Sequence, residues 1–466
     1  MMNILKYLKY IGVMLVLFVL AVVLINIIEP AIHKTDKADT DITKSDFESD
    51  VPGDEQILCI DDNEEALMWR LRMIGNAKES IVLSTFDLRP DDNGTKIMSA
   101  LFMAAERGVD IKLLVDGIYE IVFLKGSNIF QALVSHENVE TGIYNPVDLQ
   151  GLFRGNYRMH DKYLIVDNTM YLLGGRNTND IFLGDHKSGI NEDRDILVYD
   201  TTGGKGESLK QLKTYFEQIF NEPCVKISKK NIQDYTEENR KFAQLYEALK
   251  ADYPDMENFT GWEDVTFQAN KITLISNGTN AGKKNPDILN IITALADGQE
   301  NVLIQTPYVI CNKYMLDSLR NIADEANVKI ILNAVEAGSN PWGCTDYLNN
   351  KQNILDTGVD VYELMNNHAV HTKTVLVGNN ISIVGSYNLD MRSTYLDTEL
   401  MLVIDSEQLN EQIRTHAEGY MEKSIEVKSD GQTTVGAGYK EKKQKKSDAV
   451  LYSILRVIIR PIRHLL

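Results

Sequence analysis

The chain has 466 residues, 44% hydrophobic and 25% charged, which is more than one hydrophobic core usually organises, so two lobes or a duplicated domain is expected. A formal net charge of -19 argues against general affinity for nucleic-acid backbones. Cys59, Cys224, Cys311 and Cys344 are scattered, with neither the close pairs of a zinc site nor the density of a disulfide scaffold.

Tyr10 to Ile28 is a run of 19 residues without a charge, dominated by Val, Leu and Ile, and it suffices to cross a bilayer core. It is long for a signal peptide and lacks a small-x-small cleavage site, so residues 1–28 read as an uncleaved membrane anchor. Lys6 and Lys9 precede the run, Lys34 and Lys37 follow it. The weak charge bias puts the amino terminus inside and the catalytic body outside the cytoplasm, on a single-pass cell-membrane protein. Residues 29–55 are polar and rich in Asp, Thr and Lys, a linker that would hold the body off the membrane.

The first half, 56–201, alternates helical and strand patterns: Glu64 to Gly75, Ser80 to Leu88, Thr95 to Arg107, Val109 to Val115. A helical, charged connector follows at 202–264. The alternation then returns over 265–425, with helical spacing at Asp287 to Leu295 and Lys313 to Ala326, and strands at Asn301 to Val309 and Val328 to Leu332. This predicts an α/β sheet in each half. Residues 426–466 form a basic tail, carrying about +6 from Tyr439 onward and leaving about -25 on the rest. Within it, Ser453, Arg456, Arg460 and Arg463 mark one side of an amphipathic helix, kinked at Pro461 and expected on anionic lipid rather than docked on the body.

One segment occurs twice. His160-Asp161-Lys162, an apolar strand, Asp167, a second strand and Gly174-Gly175-Arg176-Asn177 return, at a single offset of 211, as His371-Thr372-Lys373, a strand, Gly378, a strand and Gly385-Ser386-Tyr387-Asn388. A lone His-x-Lys carries no information. Two copies in one local frame mean that each half brings a histidine, a lysine and an asparagine to one place. A neutral imidazole can attack phosphorus and form a phosphoramidate, while a protonated one gives its proton to the departing alkoxide. Lys162, Lys373, Asn177 and Asn388 would hold the phosphoryl oxygens through the trigonal-bipyramidal state, a scheme that needs no metal or other cofactor. Each histidine needs a partner on its other nitrogen. The acidic candidates are Asp195 and Glu399, each opening an apolar strand.

The double His-x-Lys-x4-Asp pattern resembles the phospholipase D superfamily. The second copy, running through Asn388-Leu-Asp390-Met-Arg392-Ser393 to Thr398-Glu399, is similar to its bacterial cardiolipin synthase branch. The resemblance implies a duplicated α/β/α sandwich with the active site between pseudo-symmetric halves. It implies that His160 and His371 are nucleophile and general acid/base, His160 taken as the nucleophile. Lys162, Lys373, Asn177 and Asn388 would bind phosphate, joined by the Ser386 hydroxyl, and Asp195 and Glu399 would orient the imidazoles. The implied reaction is phosphatidyl transfer between phosphatidylglycerol molecules. Hydrolysis of phospholipid, an anchored nuclease and a catalytically silent lipid-binding protein are the alternatives, and no protein partner is implied. Gly378 stands where the family has aspartate. The position ends a strand five residues beyond Lys373, where a carboxylate ties a turn, and Gly378-Asn379-Asn380 is turn chemistry of its own.

Overall fold

A computed structural model describes residues 2–32, 42–185, 189–443 and 446–466. Lys34 and Lys37, on which the charge bias partly rests, lie outside the described residues. Two nine-stranded sheets carry the body. The first runs, in spatial order, Phe267–Gln268, Glu55–Ile60, Asp195–Asp200, Met170–Gly174, Lys162–Val166, Ser80–Thr85, Asp110–Asp116, Val139–Tyr144, Val225–Ile227. The second runs Lys271–Ser276, Leu400–Asp405, Ile381–Gly385, Thr374–Val377, Asn301–Gln305, Asn327–Asn333, Asp360–Leu364, Ser424–Val427, Thr433–Val435. In each, three parallel strands are joined through helices and the rest pair antiparallel. Eight strands of the second sheet, Lys271–Ser276 to Ser424–Val427, repeat the order of Glu55–Ile60 to Val225–Ile227 in the first, while Phe267–Gln268 and Thr433–Val435 are extra edge strands at opposite ends.

The halves share one core. Ile57, Tyr163, Tyr171 and Leu114 of the first sheet and Leu303, Ile331, Val384 and Leu402 of the second belong to a single buried cluster, filled by Leu212 and Ile219 of helix Glu207–Phe220 and by Ile413 of helix Glu407–Met421. Each sheet's other face packs against its own outer helices. The first half therefore does not end at 201. Helix Glu207–Phe220 fills the centre, strands Val225–Ile227 and Phe267–Gln268 are sheet edges, and helix Thr236–Asp252 packs on helix Asp92–Glu106. All four cysteines are buried and unpaired.

The anchor is helix α1, Met2–Ile32, with Lys9–Ile32 long and apolar enough to span a membrane. It is not held away from the body, as the linker reading expects. Asn26 donates to the Leu152 carbonyl, Tyr157 donates to Glu29, and Lys283 donates to the Pro30 carbonyl. Within 42–55, Lys44–Asp46 forms a short 3-10 turn and Phe47 enters the second half's core. The tail also departs from expectation. Helix Lys446–Ile458 ends before Pro461, which opens a 3-10 turn, Arg460–Leu465, rather than kinking a continuous helix. Tyr452, Leu455 and Ile459 dock beside Cys344, Arg456 bonds Asn349, and Arg463 pairs with Asp346. Val450, Leu451, Ile454, Val457 and Ile458 face outward instead.

Asp167 and Gly378 both close the hairpin that follows the catalytic strand, at φ 52° and 57°. The Asp167 carboxylate accepts the backbone N–H groups of Lys78, Glu79 and Ser80 at 2.8 to 3.3 Å. At the second turn, Gly378 N–H donates to Asn301 and a Cβ would come within 2.7 Å of Gln299 Oε1. Glycine takes this left-handed backbone without strain. The motif aspartate is thus a turn tie at the far end of the strand from the lysine. Asp167→Ala should lower unfolding free energy by about 1–2 kcal/mol, read from denaturant midpoints, with turnover per folded molecule unchanged.

Candidate active site

His160 and His371 each precede the central antiparallel strand of a sheet, and Lys162 and Lys373 lie two residues on, on the same face as their histidine. Just upstream, each chain segment crosses to the other half. Ala369–Val370 pairs in parallel with Asn191–Glu192, and Met159 bridges Thr398 in the same sense. Backbone bonds extend both crossings: His371 N–H donates to Glu192 at 2.7 Å, His160 N–H to Thr398 at 3.3 Å. The residue after each bridge is the acid that meets the other half's imidazole. His160 Nδ1 lies 2.9 Å from Glu399 Oε1, and His371 Nδ1 lies 2.7 Å from Asp193 Oδ2.

Asp193, not Asp195, is therefore the partner of His371. Asp195 points to the opposite face of its strand, where its Oδ2 pairs with Arg70 at 2.9 Å and Arg176 at 3.2 Å, all three buried. The sheet register explains the error. Gly174 pairs with Asp195 and Gly385 with Met401, so the residue equivalent to Glu399 is Asp193. Ser386 is also placed differently from expectation. Its hydroxyl donates to Glu399 Oε2 and accepts from Leu400 N–H, so it braces the acid rather than facing a phosphate. In the first half Gly175 occupies this position, because a Cβ there would fall 2.4 Å from Asp193 Oδ1.

Asn177 and Asn388 follow the second strand of each hairpin, and both Oδ1 atoms are buried without a hydrogen-bond partner among the described residues. A planar amide carries donor and acceptor together, so a half-turn presents its N–H groups to the same space. Two rings wall the histidines: Phe86 lies edge-on to His160 at 4.9 Å and Phe182 to His371 at 5.0 Å. Sequence reasoning missed both phenylalanines and Asp193.

The electrostatics show that the two sets of residues occupy one site. Burial lowers the Lys162 ammonium to about 7, with Lys373 pushing it down further, and Lys373 is likewise lowered by burial. Burial, then Lys162 and Lys373, holds His160 well below its ordinary value; burial and Lys373 bring His371 to about 4. Burial pushes Asp193 up, but Lys373, His371 and Arg176 outweigh it and keep the carboxyl at about 2. Burial raises Glu399 to about 8 against the pull of Lys162 and Ser386. Two buried cations that repel one another, beside two neutral imidazoles, form a receptor for an anion. A phosphodiester would relieve the repulsion and draw the lysines back to full charge.

The unfolded chain protonates position 371 below about 6.5, while the folded ring stays neutral to about 4. Unfolding is therefore favoured as pH falls across that window. His371→Asn should show a smaller drop in thermal midpoint between pH 6.5 and 4 than the parent. The two neighbouring aspartates should separate cleanly by mutation. Asp193→Asn should cut turnover by about 10²-fold or more with the fold intact. Asp195→Asn should instead lower stability by about 3 kcal/mol, since it strips two buried arginines of their shared charge. Paired turnover and denaturation measurements check both.

Comparison with known proteins agrees with this geometry. The family profile described as "Cardiolipin synthase, PLD-like domain" matches residues 71–220 and 291–421. An uncharacterised protein of Helicobacter pylori is 23% identical over 413 residues, covering 80% of each chain. The major cardiolipin synthase ClsA of Bacillus subtilis is 26% identical over 356 residues, 74% of this chain and 65% of that protein. Among solved structures, the phosphatidylserine synthase of Haemophilus influenzae superposes with a TM-score of 0.61 at 16% identity, over 88% of this chain and 95% of that one, a likeness of fold. With more than half of its length matched, the chain belongs to the cardiolipin synthase family of phospholipase D-like proteins.

Proposed function

We propose that this enzyme is a membrane-bound phosphatidyltransferase that makes cardiolipin from phosphatidylglycerol. The observation that carries the reading is the crossed pairing, His160 with Glu399 and His371 with Asp193, around two buried lysines. The curated relatives named as cardiolipin synthases support the lipid substrate. His160, which burial and the two lysines hold neutral, attacks phosphorus through Nε2 and breaks the bond to the glycerol headgroup. Binding of the phosphodiester anion beside the ionised Asp193 favours a proton on His371, and the imidazolium gives that proton to the leaving glycerol oxygen. The phosphatidyl group then sits on His160. The same His371 takes the proton of a hydroxyl on a second phosphatidylglycerol, whose oxygen attacks phosphorus and frees His160. Lys162, Lys373, Asn177 and Asn388 hold the phosphoryl oxygens in both steps.

Membrane association is supported by α1 and by the relatives. The outward apolar stripe of helix Lys446–Ile458 supports a second contact with lipid. Lys6 and Lys9, in the first turns of α1, favour an extracytoplasmic body.

Incubation with phosphatidylglycerol vesicles, followed by thin-layer separation, should yield cardiolipin and free glycerol. His160→Ala and His371→Ala should each lose about 10³-fold or more in rate. Phosphatidic acid as the main product would replace transfer by hydrolysis. Turnover of single-stranded DNA but of neither lipid would replace both by a nuclease.

A further inference from the structure

The segment between Tyr144 and His160 does something other than deliver the histidine. Its central residues, Gly151–Arg154, form a 3-10 turn that lies against α1. Phe153 meets Phe18 edge-on at 5.9 Å between ring centroids. Phe18 stands near the middle of the apolar run, eight residues before Asn26, or about 12 Å along the helix axis. Asn26 is itself tied to this segment. Its amide donates to the Leu152 carbonyl at 2.7 Å, while its own carbonyl, which would otherwise pair with the missing N–H of Pro30, accepts from Asn156. Body and anchor thus touch along a stretch of α1 that belongs inside the hydrocarbon, not beyond it.

Two features of the segment fit that depth. Val147 and Leu149 at its tip are 40% and 67% exposed, although nothing in a water-facing loop calls for them. Much of its backbone is also bonded within the segment. The N–H groups of Asp148, Gln150, Gly151, Leu152, Phe153 and Tyr157 all find acceptors within the segment, and Asn145 donates to the carbonyls of Arg154 and Tyr157. Irregular backbone enters a bilayer only when its polar groups are satisfied in this way. The one acid near the tip, Asp148, is paired with Lys226. Arg154 is exposed and long enough to reach the headgroups.

We propose that residues 146–154 insert into the membrane leaflet beside α1, as a third membrane contact that presses the mouth of the catalytic cleft onto the lipid surface. The occupant of this face is the acyl region of the bilayer. The inference rests on reading α1 as a membrane span and deepens the lipid-substrate reading. Tyr157, Arg158 and Met159 lead directly from the inserted turn to His160, and Arg392 links Asn156 to the C-terminal residues Leu465 and Leu466. A phospholipid would then reach the lysines from the leaflet with its chains still in lipid.

The test uses the full chain in vesicles of phosphatidylglycerol and phosphatidylcholine, with a polarity-sensitive fluorophore on Leu149→Cys; the four native thiols are buried. Emission should be shifted to the blue and quenched by nitroxide on the lipid acyl chains, while the same label at Glu237→Cys, an exposed position on helix Thr236–Asp252, is quenched by aqueous iodide. Quenching of position 149 by iodide and not by acyl nitroxide would overturn the proposal, whatever lipid the protein turns over. Leu149→Asp should reduce turnover of phosphatidylglycerol in vesicles at least tenfold and leave micellar short-chain phosphatidylglycerol unaffected. Equal rates for this variant and the parent on vesicles would likewise contradict it. Absence of turnover in every protein would refute the enzymatic reading alone, because the quenching result does not depend on catalysis.

Discussion

The active site depends on two short exchanges of backbone between the halves. Ala369–Val370 lies along Asn191–Glu192, and Met159 lies against Thr398. Each brings a histidine from one sheet to the acid that opens a strand of the other. Neither half holds a complete histidine–carboxylate pair by itself, so separating the sheets would break both pairs. The shared core between the sheets, built on helices Glu207–Phe220 and Glu407–Met421, is what keeps these exchanges in register.

Duplication gives the site its symmetry, and small departures from it make the two sides chemically different. Asp193 is ionised beside Lys373, whereas burial raises Glu399 and the Ser386 hydroxyl braces it. Glycine at 175 leaves room for Asp193 where serine at 386 supports Glu399. The proposed division into an attacking base and a proton donor calls for unlike surroundings, and these departures are consistent with it.

Much of this was legible because chemistry and repetition coincide. The histidines, lysines and asparagines stand at one offset in a gapless stretch, so a shared site for the histidines and lysines was to be expected from sequence. The acids did not, because the offset falls from 211 to 206 between the asparagines and the strands that follow. Only the pairing of Gly174 with Asp195 and of Gly385 with Met401 shows that Asp193 matches Glu399. Periodicity likewise exposed the two-sided character of the C-terminal helix but not which side docks. That is decided by Asp346 and Asn349, more than a hundred residues away, which draw the arginines inward. Contacts between α1 and residues 152–157 were equally invisible, since a transmembrane pattern says nothing about what packs beside it.

The crossed pairing can be tested without assuming any substrate, by following the imidazole nitrogens of His160 and His371 with ¹⁵N magnetic resonance across pH. Asp193→Asn should change the Nδ1 hydrogen bond and tautomer of His371 and leave the tautomer of His160 as it was, while Glu399→Gln should do the reverse. If Asp193→Asn instead switches the tautomer of His160, or if both substitutions switch the same ring, the exchange between halves is wrong and the mechanism built on it fails.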